Sequence, residues 1–252
     1  MKSLRRAADA TLGRWTRHLF FVLLRSYYGL FFNISCADKA ALQDLPGGLI
    51  LCSHGSRHDG PMICALLYTT RRVRPAVLYT EYYNPLQWFP LMIAGSVPMS
   101  SPKTWTPERR KAQKEKALHT MRRIIENGNM VLLYPAGMIK KQRREVIAPH
   151  FSGAYETIKA LDGLPVALIR IRGLSPHEEI KRDRFWTFIG RKTGRRHVLI
   201  DIEIPETPFD TAQPLADFNA EIEARFNLGL PEDTSAEASV QAPARSGGRP
   251  ES

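Results

Sequence analysis

A histidine and an aspartate stand five residues apart in the segment His54-Gly55-Ser56-Arg57-His58-Asp59, which lies between two apolar runs. A neutral imidazole can accept a proton near neutral pH, and a nearby carboxylate can orient it and stabilise its charged form. A hydroxyl nucleophile that has no base of its own needs such a pair. The segment can therefore supply a general-base dyad of His54 and Asp59.

Asp59 also has a purely structural interpretation. Asp59-Gly60-Pro61 precedes the apolar run 62–67, and Asp as the N-cap with Pro in the first turn is a typical helix start. Judged on these residues alone, the cap is the more common outcome, because capping aspartates are frequent and catalytic dyads are rare. The two interpretations are compatible with each other, and segments elsewhere in the chain bear on the choice.

The composition predicts one basic α/β domain. The chain has 252 residues, 43% of them hydrophobic, and a net charge of +11, which suits a single sizeable core and an anionic partner. That partner can be a nucleic acid, an anionic membrane surface, or a phosphorylated or carrier-bound substrate. Cys36, Cys52 and Cys64 have neither metal-ligand nor disulfide spacing, which indicates a reducing cytoplasm.

The two ends of the chain differ from its middle. Residues 1–35 combine basic residues with Trp, Phe and Tyr, which predicts an amphipathic helical segment in the membrane interface. A helix packed on the protein's own core explains the pattern equally well. Arg25 interrupts the apolar stretch, which is too short to span a bilayer. Residues 231–252 are rich in Ala, Ser, Pro and Gly, which predicts a disordered tail.

Buried strands alternate with helices between these ends. The alternation predicts an α/β fold with a mostly parallel central sheet flanked by helices. The functional loops of such a sheet leave the carboxyl ends of strands, which is where His54 and Pro135 stand. The predicted strands are 48–53, 75–79, 130–134, 164–169 and 197–204, with a short strand or turn at 95–99, and the predicted helices are 61–70, 108–126, 152–161 and 215–226.

Four blocks in this order resemble the glycerolipid acyltransferase family of the lysophosphatidic-acid type, over about residues 45–170. His54 to Asp59 matches the family pattern H-x-S-x-x-D. The other blocks are Gly95-Ser96-Val97-Pro98-Met99, Tyr134-Pro135-Ala136-Gly137 and Leu164-Pro165-Val166-Ala167-Leu168. Four blocks with sensible gaps are more specific than any one of them. The resemblance therefore favours the catalytic interpretation of His54 and Asp59.

The resemblance implies a reaction and a set of site residues. His54 would act as general base on an acceptor hydroxyl, which attacks the thioester of acyl-carrier protein or coenzyme A, and Asp59 would orient the imidazole. No metal or cofactor is expected beyond that acyl-CoA or acyl-carrier-protein co-substrate. The residues predicted to bind substrate are Ser56, Arg57, Gly95, Pro135, Gly137, Lys140 and Lys141.

The chain departs from the family pattern where the family binds phosphate. Ser101 stands at the usual Arg of the second block, while Ala136 and Ile139 replace the Glu and Arg of the third. Ser or Ile cannot hold a phosphate as Arg does, so we expect an acceptor other than lysophosphatidic acid bound in the usual way. The Pro-small-Gly third block is closer to the haemolysin-like branch, which is associated with O-acylation of lyso-lipids. Lys140 and Lys141 could supply displaced anion contacts, or belong to a solvated charge run.

The sequence thus predicts a membrane segment (1–35), an acyltransferase domain (36–230) and a tail (231–252). The expected protein is a peripheral acyltransferase at the cytoplasmic face of the inner membrane. Its expected partners are the anionic membrane surface, a lyso-lipid acceptor and acyl-carrier protein. A family member that has lost catalysis and binds only lipid is the first alternative. A nucleic-acid-binding protein is a lesser one, since the sequence carries no helix-turn-helix or zinc pattern.

Overall fold

The computed structural model describes residues 2–36, 38–99, 104–174 and 196–230, with side chains from residue 13 onward. The helices in these ranges are Lys2–Phe31 (α1), Asp59–Leu67 (α2), Tyr79–Tyr82 (α3), Trp88–Ala94 (α4), Pro107–Glu126 (α5), Gly153–Ala160 (α6) and Leu215–Phe226 (α7), with a 3₁₀ helix at Asp38–Gln43. The strands are Phe32–Cys36 (β1), Gly48–Cys52 (β2), Val73–Val77 (β3), Val97–Pro98 (β4), Met130–Leu133 (β5), Val166–Arg172 (β6) and Arg196–Glu203 (β7).

These strands form one mixed sheet in the order β1-β7-β6-β2-β5-β3-β4. The five strands from β6 to β4 run parallel to one another. Strand β7 is antiparallel to β6 and parallel to β1. Strands β2 and β5 are buried along their whole length, as expected for parallel strands covered on both faces. The predicted α/β fold with a mostly parallel sheet is confirmed.

Helices cover both faces of the sheet, and successive side chains of β2 alternate between them. Ile50 and Cys52 pack in one core cluster with residues of α1 and α2. Leu49 and Leu51 pack in the other cluster, with residues of α5, α6 and α7. This alternation is the period-two geometry of a strand. Helices therefore pack on both faces of the sheet where β2 ends, two residues before His54.

The N-terminal segment contains a strand that the sequence analysis did not predict. Helix α1 ends at Phe31, and residues 32–36 form β1, which pairs in parallel with β7 from Phe32 opposite Arg196. Phe32-Asn33-Ile34-Ser35-Cys36 alternates apolar and polar side chains, which suits a strand at the side of a sheet. The predicted helical segment 1–35 thus ends four residues early, because the chain enters the sheet at residue 32.

Helix α1 has two different apolar faces. Phe21 and Tyr28 are buried in the core cluster beside α2, so the alternative of a helix packed on the core is correct for this face. Trp15, Leu19, Leu23 and Leu30 are 60 to 67% exposed and lie on the opposite side at helical spacing. None of the helices described is long and apolar enough to cross a membrane. The predicted tail, 231–252, lies outside the described residues.

Candidate active site

His54 and Asp59 are in contact at the carboxyl end of β2. His54 Nδ1 lies 3.1 Å from Asp59 Oδ2, and the same oxygen accepts the Ser56 main-chain N–H at 2.8 Å. The Asp59 side chain is fully buried, whereas the His54 side chain is 19% exposed. When Nδ1 donates to the carboxylate, Nε2 is the basic nitrogen. The pair therefore has the geometry of an imidazole base and its orienting carboxylate.

The helix-cap prediction for Asp59 is wrong. His58 occupies the N-cap position of α2 and makes no side-chain cap hydrogen bond, while Asp59 is the first residue of the helix. The Asp59 carboxylate turns back to the N–H of Ser56 and the imidazole of His54. These two contacts use the same oxygen and direct the carboxylate toward the loop. Asp59 therefore contacts His54 and does not cap the helix.

The loop is anchored where it leaves the sheet. The Ser53 hydroxyl accepts the N–H of Ile171 at 2.9 Å, and the Ser53 N–H donates to Ile169 O at 3.0 Å. Both partners belong to β6, the parallel neighbour of β2. His54 therefore directly follows a residue that is fixed to the neighbouring strand.

The third sequence block lies against the dyad. The rings of Tyr134 and His54 stack with centroids 4.1 Å apart and an interplanar angle of 24°. Burial raises the pKa of Tyr134 well above its usual value, so the phenol stays protonated. The turn is closed by the Gly137 N–H, which donates to Tyr134 O at 3.0 Å. Gly137 has a φ of +64° and no atom within 4 Å of a Cβ placed there, so the turn is open on that side.

The main chain of His54 is held at both of its peptide groups. Its N–H donates to the two carboxylate oxygens of Glu145 at 3.2 and 3.3 Å. Its carbonyl accepts the N–H of Lys140 at 2.7 Å. Glu145 is 2% exposed, and burial raises its pKa to about 7. The sequence analysis missed Glu145, although it is the only acid between Glu126 and Glu156 and directly follows a basic run.

Asn227, directly after α7, fixes Glu145 by a reciprocal pair of hydrogen bonds. Its Oδ1 accepts the N–H of Glu145 at 2.8 Å, and its Nδ2 donates to Glu145 O at 2.9 Å. Asn227 is itself buried. The end of the last helix is thereby connected to the loop that carries His54.

Several of the residues predicted to bind substrate lie around the dyad. Ser56 orders the loop, since its hydroxyl accepts the His58 N–H at 3.0 Å. Pro135 is buried in the turn after Tyr134, whereas Arg57 and Lys141 are exposed. Lys140 is buried, and its Nζ donates to Arg143 O at 3.1 Å. The substrate contacts of these residues stay predictions.

Gly95 is not brought to the dyad. It precedes β4, an edge strand that is three strands from the central strand β2. The two strands run in the same direction, so Gly95 lies at the amino end of its strand, whereas His54 follows the carboxyl end of β2. Gly95 ends α4 with a φ of +72°, and a Cβ at this position would lie 3.3 Å from Arg74 Nη1. Glycine is favoured there by the left-handed backbone and the close side chain. The placement does not favour a substrate contact for Gly95. Ser101 lies outside the described residues.

Three more residues with reactive or polar side chains, Tyr28, Cys52 and Cys64, are buried near the site and have structural roles. Tyr28 of α1 is buried, and its hydroxyl lies 3.4 Å from His58 Nδ1, so α1 supports the loop. Cys52 and Cys64 are buried in the core, and burial raises the pKa of Cys64 to about 12. Both thiols are unsuited to act as nucleophiles. Within the described ranges, no group of His, Cys, Asp or Glu side chains could hold a metal ion.

Comparisons with known proteins agree with this geometry. The Acyltransferase family profile matches residues 33–172, which is more than half of the chain. The crystal structure of the 1-acyl-sn-glycerophosphate (LPA) acyltransferase PlsC from Thermotoga maritima is similar to this fold, with a TM-score of 0.54 at 16% sequence identity. The match covers 84% of this chain and 80% of that one. No curated protein sequence matches the chain. By its sequence profile, the chain belongs to the Acyltransferase family.

Proposed function

We propose that the protein is an O-acyltransferase that moves a fatty acyl group from an acyl thioester to the hydroxyl of a lyso-lipid. The observation that carries the proposal is the contact of His54 Nδ1 with the buried carboxylate of Asp59. It leaves Nε2 as the base on a partly exposed imidazole. The family membership supports acyl transfer. The acyl donor is a thioester of acyl-carrier protein or of coenzyme A.

The proposed reaction is one proton-coupled displacement. The acceptor hydroxyl gives its proton to His54 Nε2 as its oxygen attacks the thioester carbonyl. The tetrahedral intermediate then collapses, the C–S bond breaks, and the leaving thiolate takes the proton from the imidazolium. Asp59 stabilises the imidazolium in between, and general-base assistance of this kind contributes roughly 10²–10⁴ in rate. A thioester is reactive enough that no covalent enzyme intermediate is required.

The proposed acceptor is a lyso-lipid whose polar group is not held by the family's third-block cations. The side chain of Ala136 is buried, and Ile139 cannot bind an anion. Arg57 and Lys141 are exposed cations near the dyad. We propose that they bind a negative group of the acceptor. This supports an acceptor of the type used by the haemolysin-like branch, including amino-acid-containing lyso-lipids.

The exposed apolar face of α1 supports peripheral attachment to a membrane. Trp15, Leu19, Leu23 and Leu30 form a stripe on this helix, as described above. Helix α4 adds Trp88, Phe89 and Met92, which are 40 to 53% exposed. The two helices are joined by a hydrogen bond from Arg17 Nε to Ile93 O at 2.9 Å. Large exposed apolar surfaces of this kind mark interaction sites, and we propose the interface of the inner membrane's cytoplasmic leaflet.

Three arginines at the junction of α1, β3 and α4 support an anionic membrane. Burial lowers the pKa of Arg17 and of Arg74, and repulsion among Arg17, Arg72 and Arg74 lowers it further. Arg74 Nε has no hydrogen-bond partner among the residues that the structure describes. Within the described ranges none of these three arginines forms an ion pair with an acid. Such side chains suit lipid phosphates, and each cation near an anionic surface contributes about 1 kcal/mol.

The test is acyl transfer by purified protein with labelled acyl-carrier protein or acyl-CoA and a panel of lyso-lipids. Transfer that disappears in His54→Ala and persists in His119→Ala, an exposed histidine of α5, would support the proposal. No transfer to any acceptor, with vesicle binding retained, would favour a family member that only binds lipid. Salt-dependent nucleic-acid binding without lipid association would favour the nucleic-acid alternative.

A further inference from the structure

We propose that Glu145 is a positioning residue for His54, holding the main chain of the catalytic base so that the imidazole stays aligned with Asp59. The inference rests on the proposed function, since it assigns to Glu145 a part in the reaction of that same site. Among the described residues, Glu145 makes its hydrogen bonds to His54 through the main chain and not through the imidazole nitrogens. It acts through the peptide N–H of His54.

The contact is specific in its geometry. Both Glu145 oxygens accept the same N–H, at 3.2 and 3.3 Å. The carboxylate is buried, and a buried carboxylate persists only where its partners compensate for its lost hydration. A neutral residue could fill the space at lower cost in stability. The site therefore retains a charge at a position where packing alone does not need one.

The segment that carries Glu145 is held by residues in α7 and directly after it. Asn227 holds its main chain by two hydrogen bonds, at 2.8 and 2.9 Å. Two residues further on, the Ile147 N–H donates to the carboxylate of Glu223 in α7 at 2.7 Å. Glu223 thus anchors the same segment without touching His54, which makes it a matched control for a purely structural role.

The hydrogen bond from the His54 N–H to the Glu145 carboxylate should change in strength with pH in the neutral range. Burial raises the pKa of Glu145 to about 7, against the opposing effects of the His54 N–H, Lys140 and the His54 side chain, while Asp59 raises it further. Cys52 on β2 also senses this charge. Asn227, directly after α7, contributes an uncharged contact. Protonation removes the charge from the acceptor, and hydrogen bonds to charged acceptors are about twice as strong as neutral ones.

The first test compares the pH dependence of kcat in wild type, Glu145→Gln and Glu223→Gln. Glutamine offers one acceptor and one donor where the carboxylate offers two acceptors, so it resembles protonated Glu145. We expect Glu145→Gln to lower kcat roughly 10- to 100-fold at pH 8.5, with KM changed less. The ratio of wild type to Glu145→Gln should shrink toward one below pH 6. A ratio that is constant with pH, or equal for Glu223→Gln, would overturn the inference.

The second test does not need turnover. The amide cross-peak of His54 in a ¹⁵N–¹H spectrum should move with a midpoint near pH 7 as Glu145 ionises, and this step should vanish in Glu145→Gln and persist in Glu223→Gln. Any step shared by all three proteins belongs to other groups. Identical titrations in wild type and Glu145→Gln would overturn the inference. If no acceptor is acylated, the proposed function fails, and this titration alone decides whether Glu145 controls His54.

Discussion

The carboxylate of Glu145 accepts the main-chain N–H of His54, a residue 91 positions earlier in the chain. The side chain of His54 has other partners, because Asp59 binds Nδ1 and Tyr134 stacks on the ring. Backbone and imidazole are therefore fixed separately. This separation allows each contact to be removed on its own, and the predictions below use it.

The buried charge of Glu145 should make stability fall as pH rises. Its folded-state pKa, about 7, lies above its ordinary value of 4.5, so the unfolded chain loses this proton first. The free energy of unfolding of wild type, relative to that of Glu145→Gln, should therefore decline by about 3 kcal/mol between pH 4.5 and 7. It should stay constant above pH 7. Urea unfolding of both proteins at pH 5, 6, 7 and 8 measures this difference. Parallel pH curves would contradict a buried ionising carboxylate.

Asp59→Asn should remove activity without unfolding the protein. The amide keeps the shape of the side chain but removes the charge that stabilises the imidazolium, and it can turn its NH₂ toward Nδ1 and favour the wrong tautomer. We expect kcat to fall roughly 10²–10⁴-fold. Thermal unfolding should be unchanged or shifted upward, because a buried charge is removed and Asp59 Oδ1 has no partner among the described residues. A variant within threefold of wild-type kcat would refute the dyad.

Tyr134 should act through its ring and not through its hydroxyl. Among described residues the buried hydroxyl has no hydrogen-bond partner, so Tyr134→Phe should retain kcat within about threefold. Tyr134→Leu fills much of the volume but loses the stacked ring, and aromatic pairs contribute about 0.5–1.5 kcal/mol. We expect a threefold to tenfold lower kcat for the leucine variant. Equal losses in both variants, measured in the same transfer assay, would assign the effect to the hydroxyl.

The exposed stripe of α1 should be needed for membrane binding. Deleting residues 1–33 is expected to release the protein from membranes, but it also removes Phe21 and Tyr28 from the core. The variant Leu19→Gln/Leu23→Gln/Leu30→Gln changes only exposed positions. Co-sedimentation with vesicles containing anionic phospholipid should fall at least tenfold, because burying each leucine side chain contributes roughly 1.5–3 kcal/mol.

The control for this variant is Leu228→Gln, which replaces an equally exposed leucine two residues after the end of α7. It should bind vesicles like wild type. Transfer to a detergent-dispersed acceptor should be preserved in both variants. Unchanged sedimentation of the triple variant would exclude α1 as the main membrane contact.

The sequence predicted most of the sheet because its central strands are continuous apolar runs. Strands β2, β5 and β6 are recognisable locally, since burial on both faces excludes polar side chains from most positions. Helix α5 is also specified locally, by Thr106, which accepts the Arg109 N–H, and by Pro107 in the first turn. Strand β1 was missed because its five residues become a strand only by pairing with β7, about 160 residues later.

By itself the sequence determined that His54 and Asp59 can meet, because they are five residues apart and one loop joins them. Only the tertiary structure decided what surrounds that pair. Glu145 and Tyr134 reach His54 from distant segments, and Asn227 holds Glu145, by contacts that no local pattern encodes. It also separated Gly95 from the site, since the order of motifs in the sequence does not say how many strands apart two residues lie or at which end of a strand each one stands. Local spacing fixes what one turn can hold, whereas long-range packing fixes which side chains meet.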